Sequence, residues 1–373
     1  MSTFVLQQIT QTPPENRYER LGYIVNPFPQ QGRVSIAMEG MPAAVFVPRP
    51  ELALLQADFA AFLQGTGRGK VWAVLGEHGV GKSNFLRVVQ QELVRGDAEG
   101  TIKNTAWSLF AGSHLTPAHL VEGMVSAIGE TRIESLLHVP SRIVPKPFVS
   151  SDFGRFWSHH ATWAHAESAA FLVRWLTGAR TSKSERRVYG IEAEQRLPPA
   201  IAVPYLRALV DMLATAKLLD RMVLLIDEFE DVQALTRPKQ TEYAQMLKTV
   251  LNAFDWSGLY VFLAGAPNAF AVIGERFPSL ATRWTALRLR PVETAEQALE
   301  LANAYKQQAR QKATDNVATL RPVDVDVKTI FVEVAQAQNP PTQRALLTRL
   351  HDEVEKLVLE VAPREPPPRT KKK

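Results

Sequence analysis

The chain has 373 residues, 46% of them hydrophobic and 22% charged, and no cysteine. That length allows two or three domains with cores of their own. The missing thiols exclude disulfides, cysteine-ligated zinc, iron–sulfur clusters and cysteine nucleophiles. The formal charge of +5 is mostly terminal: residues 364–373, REPPPRTKKK, carry +4 and the other 363 residues only +1.

The first twenty residues lack the basic n-region and apolar h-region of a secretory leader. No run approaches the ~18–20 apolar residues of a membrane span. The chain is therefore expected to be cytoplasmic, with no membrane partner. Residues 1–50 are rich in proline (PP at 13–14, NPFP at 26–29, VPRP at 47–50) and read as an extended N-terminal arm. A helix follows from Glu51 to about Gly65, with Leu52, Leu55, Phe59, Phe62 and Leu63 at helical spacing. VWAVLG (71–76), TAWSLFAG (105–112), MVLLID (222–227) and LYVFLAG (259–265) read as buried strands, because apolar runs without alternation suit a sheet covered on both faces. Strands alternating with helical stretches predict an α/β fold with a parallel sheet flanked by helices. From Thr294 the pattern turns helical and predicts a small helical domain over 293–362. A disordered basic tail is expected over 363–373.

The strongest local signal is Gly76-Glu77-His78-Gly79-Val80-Gly81-Lys82-Ser83, which fits G-x-x-x-x-G-K-[ST] in full, between an apolar strand and the helix former NFLRVVQQEL. Glycines let such a loop curl so that backbone N–H groups face phosphates, and the helix dipole adds to the attraction. Lys82 is expected to reach the β- and γ-phosphates of ATP, and the Ser83 hydroxyl to ligate Mg²⁺. Gly76 through Ser83, with Asn84, are the expected nucleotide-binding residues. The second signal is MVLLIDE (222–228). Asp227 at the strand end is expected to hold Mg²⁺, and Glu228 to activate the attacking water. The strand LYVFLAGAPNAF is expected to end at Asn268, which either senses the γ-phosphate or caps the chain after Pro267.

With these motifs the chain resembles an AAA+ ATPase: Walker A at 76–83, Walker B at 222–228, a sensor-1-like strand at 259–268 and a helical lid after it. Within that family it is similar to the origin-recognition/STAND-type branch, which includes transposition regulators of the TnsC kind and BREX-type phage-defence ATPases. The features that carry this are NPFP followed by VFVPRPELALL, the segment FLVRWLTGARTSKSERRVYGIEAE (171–194), and NPPTQRALLTRL (339–350), which is similar to a sensor-2 segment although it departs from the usual GNPR. The resemblance covers residues 26–355. It implies a P-loop NTPase (AAA+) domain over 51–292, a lid over 293–362, and a homo-oligomer with ATP at subunit interfaces. It also implies an arginine finger from a neighbour, Arg283 in preference to Arg276, and Arg344 near the γ-phosphate. Ser83 and Asp227 stand 144 positions apart, so a helical insertion is expected at about 130–200.

Arg174, Arg180, Lys183, Arg186 and Arg187 face only Glu185 in charge and could contact the phosphates of double-stranded DNA, or form a solvated loop. Phe153, Phe156, Trp157, Trp163 and Trp175 are read as core of the insertion in preference to a base-stacking surface. His114, His119, His159, His160 and His165 lack ligand spacing and are read as structural or solvated. Two functions fit. One is an ATP-hydrolysing switch that assembles on DNA for transposition, replication or phage defence. The other is a nucleotide-gated module that recruits an effector protein with little turnover.

Overall fold

The computed structural model describes residues 18, 21, 23, 25–30, 45, 47, 49–110, 116–139, 144–159, 165–192, 197–254, 258–311 and 325–361. The basic tail, His114, His160 and Trp163 lie outside the described residues. The chain divides into two compact units, Pro48–Leu289 and the paired segments Met1–Val47 and Arg290–Lys373.

The larger unit opens with a 3₁₀ turn, Pro50–Leu52, and α1 (Ala53–Gln64). The left-handed Gly65, φ 82°, stops α1 at the point where a side chain would be strained. Then come β1 (Val71–Leu75), α2 (Lys82–Ala98), β2 (Thr105–Phe110) and α3 (Pro117–Ile128). The stretch between β2 and the next strand continues with α4 (Glu130–Leu137), α5 (Asp152–His159), α6 (His165–Leu176), α7 (Lys183–Val188) and α8 (Pro199–Thr215). The unit closes with β3 (Arg221–Ile226), a 3₁₀ turn Phe229–Ala234, α9 (Arg237–Ala253), β4 (Leu259–Gly265), α10 (Pro267–Arg276), α11 (Pro278–Ala281) and β5 (Trp284–Arg288).

All strand pairs are parallel, in the order β2-β3-β4-β1-β5. β4 therefore separates β1 from β3, although it follows both in sequence. Its seven residues are all buried, as is every residue of β3 after Arg221. β5, for which no strand was expected, is an edge strand. It buries only Leu287 well, while Thr285, Ala286 and Arg288 are exposed.

The predicted insertion aromatics Phe153, Phe156, Trp157 and Trp175 are 0–3% exposed and share one core cluster with Leu224 and Ile226 of β3. Stacked rings hold it together: Phe171 lies 4.0 Å from Tyr189, and Phe153 lies 5.4 Å from Tyr205. These aromatics are packing, not an open stacking surface.

The second unit contains α12 (Ala295–Gln311), α13 (Val327–Ala337) and α14 (Gln343–Val361). Its core also includes Leu21, Tyr23, Phe28 and Val45, packed with Ala302, Tyr305, Ile330, Leu347 and Val354. Asn26 fixes the NPF segment. Its side-chain amide donates to the His351 carbonyl at 3.1 Å and to Glu355 Oε1 at 2.9 Å, while its Oδ1 accepts the Phe28 N–H. Tyr18 donates to the same Glu355 oxygen at 2.6 Å. A buried amide with its donors and acceptor all matched is stable where an unmatched one would be costly. Among the described residues, no helix is long and apolar enough to cross a membrane.

A candidate nucleotide-binding site

The G-x-x-x-x-G-K-S segment forms the turn between β1 and α2. Gly79 and Gly81 take φ +82° and +108°, left-handed values that open the curl, and Gly81 is the residue on which α2 starts. Gly76 is needed for space: a Cβ there would stand 2.4 Å from Val80 Cγ1. Glu77 and His78 are exposed at the loop crest, Gly79 and Ser83 are half-buried, and Val80 is buried beneath. Asn84 is half-buried in the first turn of α2.

Lys82 is only 7% exposed. Its ammonium donates to the Gly76 carbonyl at 2.7 Å and to the Glu77 carbonyl at 3.2 Å. The charge is thus fixed inside the curl of the loop, partly offset by carbonyl dipoles. Asp227 is 8% exposed and directly follows β3. Its N–H donates to the Phe110 carbonyl at 2.9 Å, which ties it to the end of β2. Its carboxylate accepts the Ser83 hydroxyl and, at 2.9 Å, the Glu228 N–H. Burial pushes the Asp227 carboxyl above the ordinary range; the bonds from Ser83 and Glu228 oppose this, the Glu230 charge adds to it and Lys82 opposes it. A buried carboxylate and a hydroxyl, both hard oxygen donors, beside a buried ammonium fit Mg²⁺ with a phosphate chain. The curled loop with its donors at a helix N-terminus fits the phosphates themselves.

Glu228 has an exposed side chain on a left-handed backbone, φ 51°. A non-glycine residue in that region costs about 1–2 kcal/mol, and such strain clusters at functional positions. Asn268 does not end a strand. β4 stops at Gly265 because Pro267, with its fixed φ and no N–H, starts α10, and Asn268 is exposed at the second position of that helix. Arg276, at the last residue of α10, donates to Gln240 Oε1. Gln240 is in turn pinned by its amide to the carbonyls of Gln233, 3.0 Å, and Leu235, 2.9 Å. Arg283 is exposed between α11 and β5. Arg344 is half-buried in the first turn of α14, in the other unit.

The basic segment is a built element in place of the expected loop. It comprises the end of α6, a short connection and α7, which opens on a capping box between Ser182 and Glu185. Arg174 pairs with Glu185 at 2.9 Å, and Arg186 donates to the Thr181 carbonyl at 2.8 Å. Arg180, Lys183 and Arg187 are exposed. His165 packs its ring on His138, centroids 4.2 Å apart. His119 contacts Thr116, the cap residue of α3, and the side chain of His159 lies outside the described residues.

Two residues at the site carried no reading in the sequence. Arg87 stands one turn beyond Ser83 on α2. Burial lowers its pKa while the Asp227 charge opposes this, and its Nη1 is enclosed without a hydrogen-bond partner among the described residues. A basic residue four positions after the loop serine was the available signal. Glu230 had none, because its contact is with Ala266, 36 positions on and just past the end of β4.

Solved structures similar to this chain include two forms of the ORC2 protein of Aeropyrum pernix. Its ADPNP–ADP complexes are 14% identical, with 84% of this chain and 70% of that chain covered and a TM-score of 0.40. Its ADP form is 14% identical, with 86% and 70% covered and a TM-score of 0.43. The Aeropyrum pernix ORC1 protein in complex with DNA is 15% identical, with 92% of this chain and 65% of that chain covered and a TM-score of 0.46. No protein-family model matches the chain, and no curated protein does.

Proposed function

We propose that the chain binds ATP with Mg²⁺ at Gly76–Asn84 and hydrolyses it. We propose further that it assembles in an ATP-dependent manner on double-stranded DNA, as an AAA+ homo-oligomer that regulates or recruits an effector protein in transposition, replication or phage defence. The observation that supports the nucleotide reading is the meeting of buried Lys82, Ser83 and buried Asp227 at the ends of β1 and β3. Lys82 binds the β- and γ-phosphates, and Ser83 and Asp227 hold Mg²⁺, which when bound neutralises charge on the phosphate oxygens. Glu228 takes the proton of the attacking water. Asn268 contacts the γ-phosphate, and a neighbour's Arg283 or Arg276 stabilises the spreading charge. Exposed Arg180, Lys183 and Arg187 support the DNA reading, with Arg174 and Arg186 holding that segment in shape.

Particle mass measured with and without a slowly hydrolysed ATP analogue, each with and without duplex DNA at about 0.15 M salt, tests this. Assembly that needs both ligands is the expected result. A chain that stays monomeric in all four conditions overturns the shared site. In the same assay Glu228→Gln is expected to trap the assembled ATP state. If it leaves effector binding unchanged and the parent chain turns over negligibly, the function is that of a nucleotide-gated recruitment module.

A further inference from the structure

Glu230, the fourth residue of the run Asp227-Glu228-Phe229-Glu230, makes a contact that links two parts of the site. The peptide group between Gly265 and Ala266 closes β4. Its carbonyl accepts the Gly76 N–H, the first residue of the phosphate loop, at 3.2 Å. Its N–H donates to Glu230 Oε2 at 3.1 Å. One peptide plane therefore bridges the phosphate loop and the turn that follows Asp227 and Glu228. The approach is tight. A Cβ on Gly265 would stand 2.8 Å from Glu230 Oε2, 3.0 Å from Phe270 Cε2 and 3.1 Å from Phe229 Cβ. Rings of Phe229 and Phe270, 4.8 Å apart, pack beside it.

The next residues are Pro267 and Asn268, so the orientation of this peptide sets where α10 starts and where Asn268 is carried. The far end of α10 is fixed to the same turn, through Arg276, Gln240 and the carbonyls of Gln233 and Leu235. Both ends of the helix thus follow the 3₁₀ turn after Glu228. We infer that Glu230 is a positioning residue for ATP hydrolysis, acting through Asn268 by holding the Gly265–Ala266 peptide. The inference rests on the reading of the site as an ATPase. What Glu230 supplies is a hydrogen-bond acceptor, and glutamine supplies one of the same length without the charge.

The test is steady-state ATP hydrolysis by the full chain, with kcat and KM measured separately, for Glu230→Ala, Glu230→Gln, Asn268→Ala and the double variant Glu230→Ala/Asn268→Ala. Glu230→Ala is expected to lower kcat by about 10- to 100-fold, the usual effect of removing a support of a site group, with KM within about threefold. Glu230→Gln is expected to restore kcat to within about threefold of the parent. In the Asn268→Ala background, Glu230→Ala is expected to cost less than about twofold, because coupled residues are not additive. Additive losses, a Gln variant as slow as Ala, or loss of kcat that follows loss of folded protein in thermal unfolding would each overturn the inference alone. Absence of Glu228-dependent turnover in the parent chain would overturn the hydrolysis reading, and this inference with it.

Discussion

The burial of Asp227 is only partly offset by Ser83, the Glu228 N–H and Lys82. Its carboxyl is pushed up by burial, so between the ordinary aspartate value and the raised one the folded chain binds the proton more tightly than the unfolded chain. Stability from this group therefore falls as pH rises through that window and is lowest above it. Asp227→Asn is expected to raise the thermal midpoint of the nucleotide-free chain at pH 7 and to abolish the further rise on adding Mg²⁺ with ATP, both read by thermal unfolding. Lys82 behaves differently, since carbonyls already accept its donors. Lys82→Ala is expected to weaken ATP binding at least ~10-fold by calorimetry, the loss of a charge-assisted contact. The loop residues Gly76–Ser83 were plain in the sequence because their spacing is dictated by local backbone geometry. Glu230 was not, because it meets Ala266 only after β4 has inserted beside β3.

Among the elements, legibility followed burial. β3 and β4 read as strands because unbroken apolar runs have few other uses, and Pro267 sets the stop of β4 ahead of Asn268, where the strand was expected to end. β5 was hidden because Trp284–Arg288 is an edge strand with one well-buried residue, so it shows neither a run nor an alternation. The α7 segment looked like a loop for a similar reason: six residues, rich in charge, with no buried side chain within the helix. Its order comes from a cap. Ser182→Ala is expected to cost about 0.5–2 kcal/mol locally, read as faster amide exchange across Lys183–Val188. If this element meets DNA phosphates, Lys183→Ala and Arg187→Ala should each weaken binding across all sequences and reduce the salt slope by about 1.

For the whole molecule, the sequence's alternation of strands and helices predicted the parallel sheet but not its order. Chain order cannot reveal that the penultimate strand lies between the two motif strands. Nor could local pattern show that Leu21, Tyr23 and Phe28 share a core with α12–α14, since proline-rich segments look alike whether they are solvated or packed. Asn26 and the His351 carbonyl it contacts are 325 positions apart. At synthesis rates of ~5–20 residues per second, a ribosome needs roughly 15–65 s to travel between them. For most of that interval, until α12–α14 are made, the nascent chain carries an apolar, aromatic segment that lacks most of its core partners. The larger unit, by contrast, has all of its sequence available before α12 is made. Translation thus imposes an order, with the five-stranded sheet complete first and the other unit closed last by its oldest residues. An early segment left waiting in this way is a natural client for a chaperone.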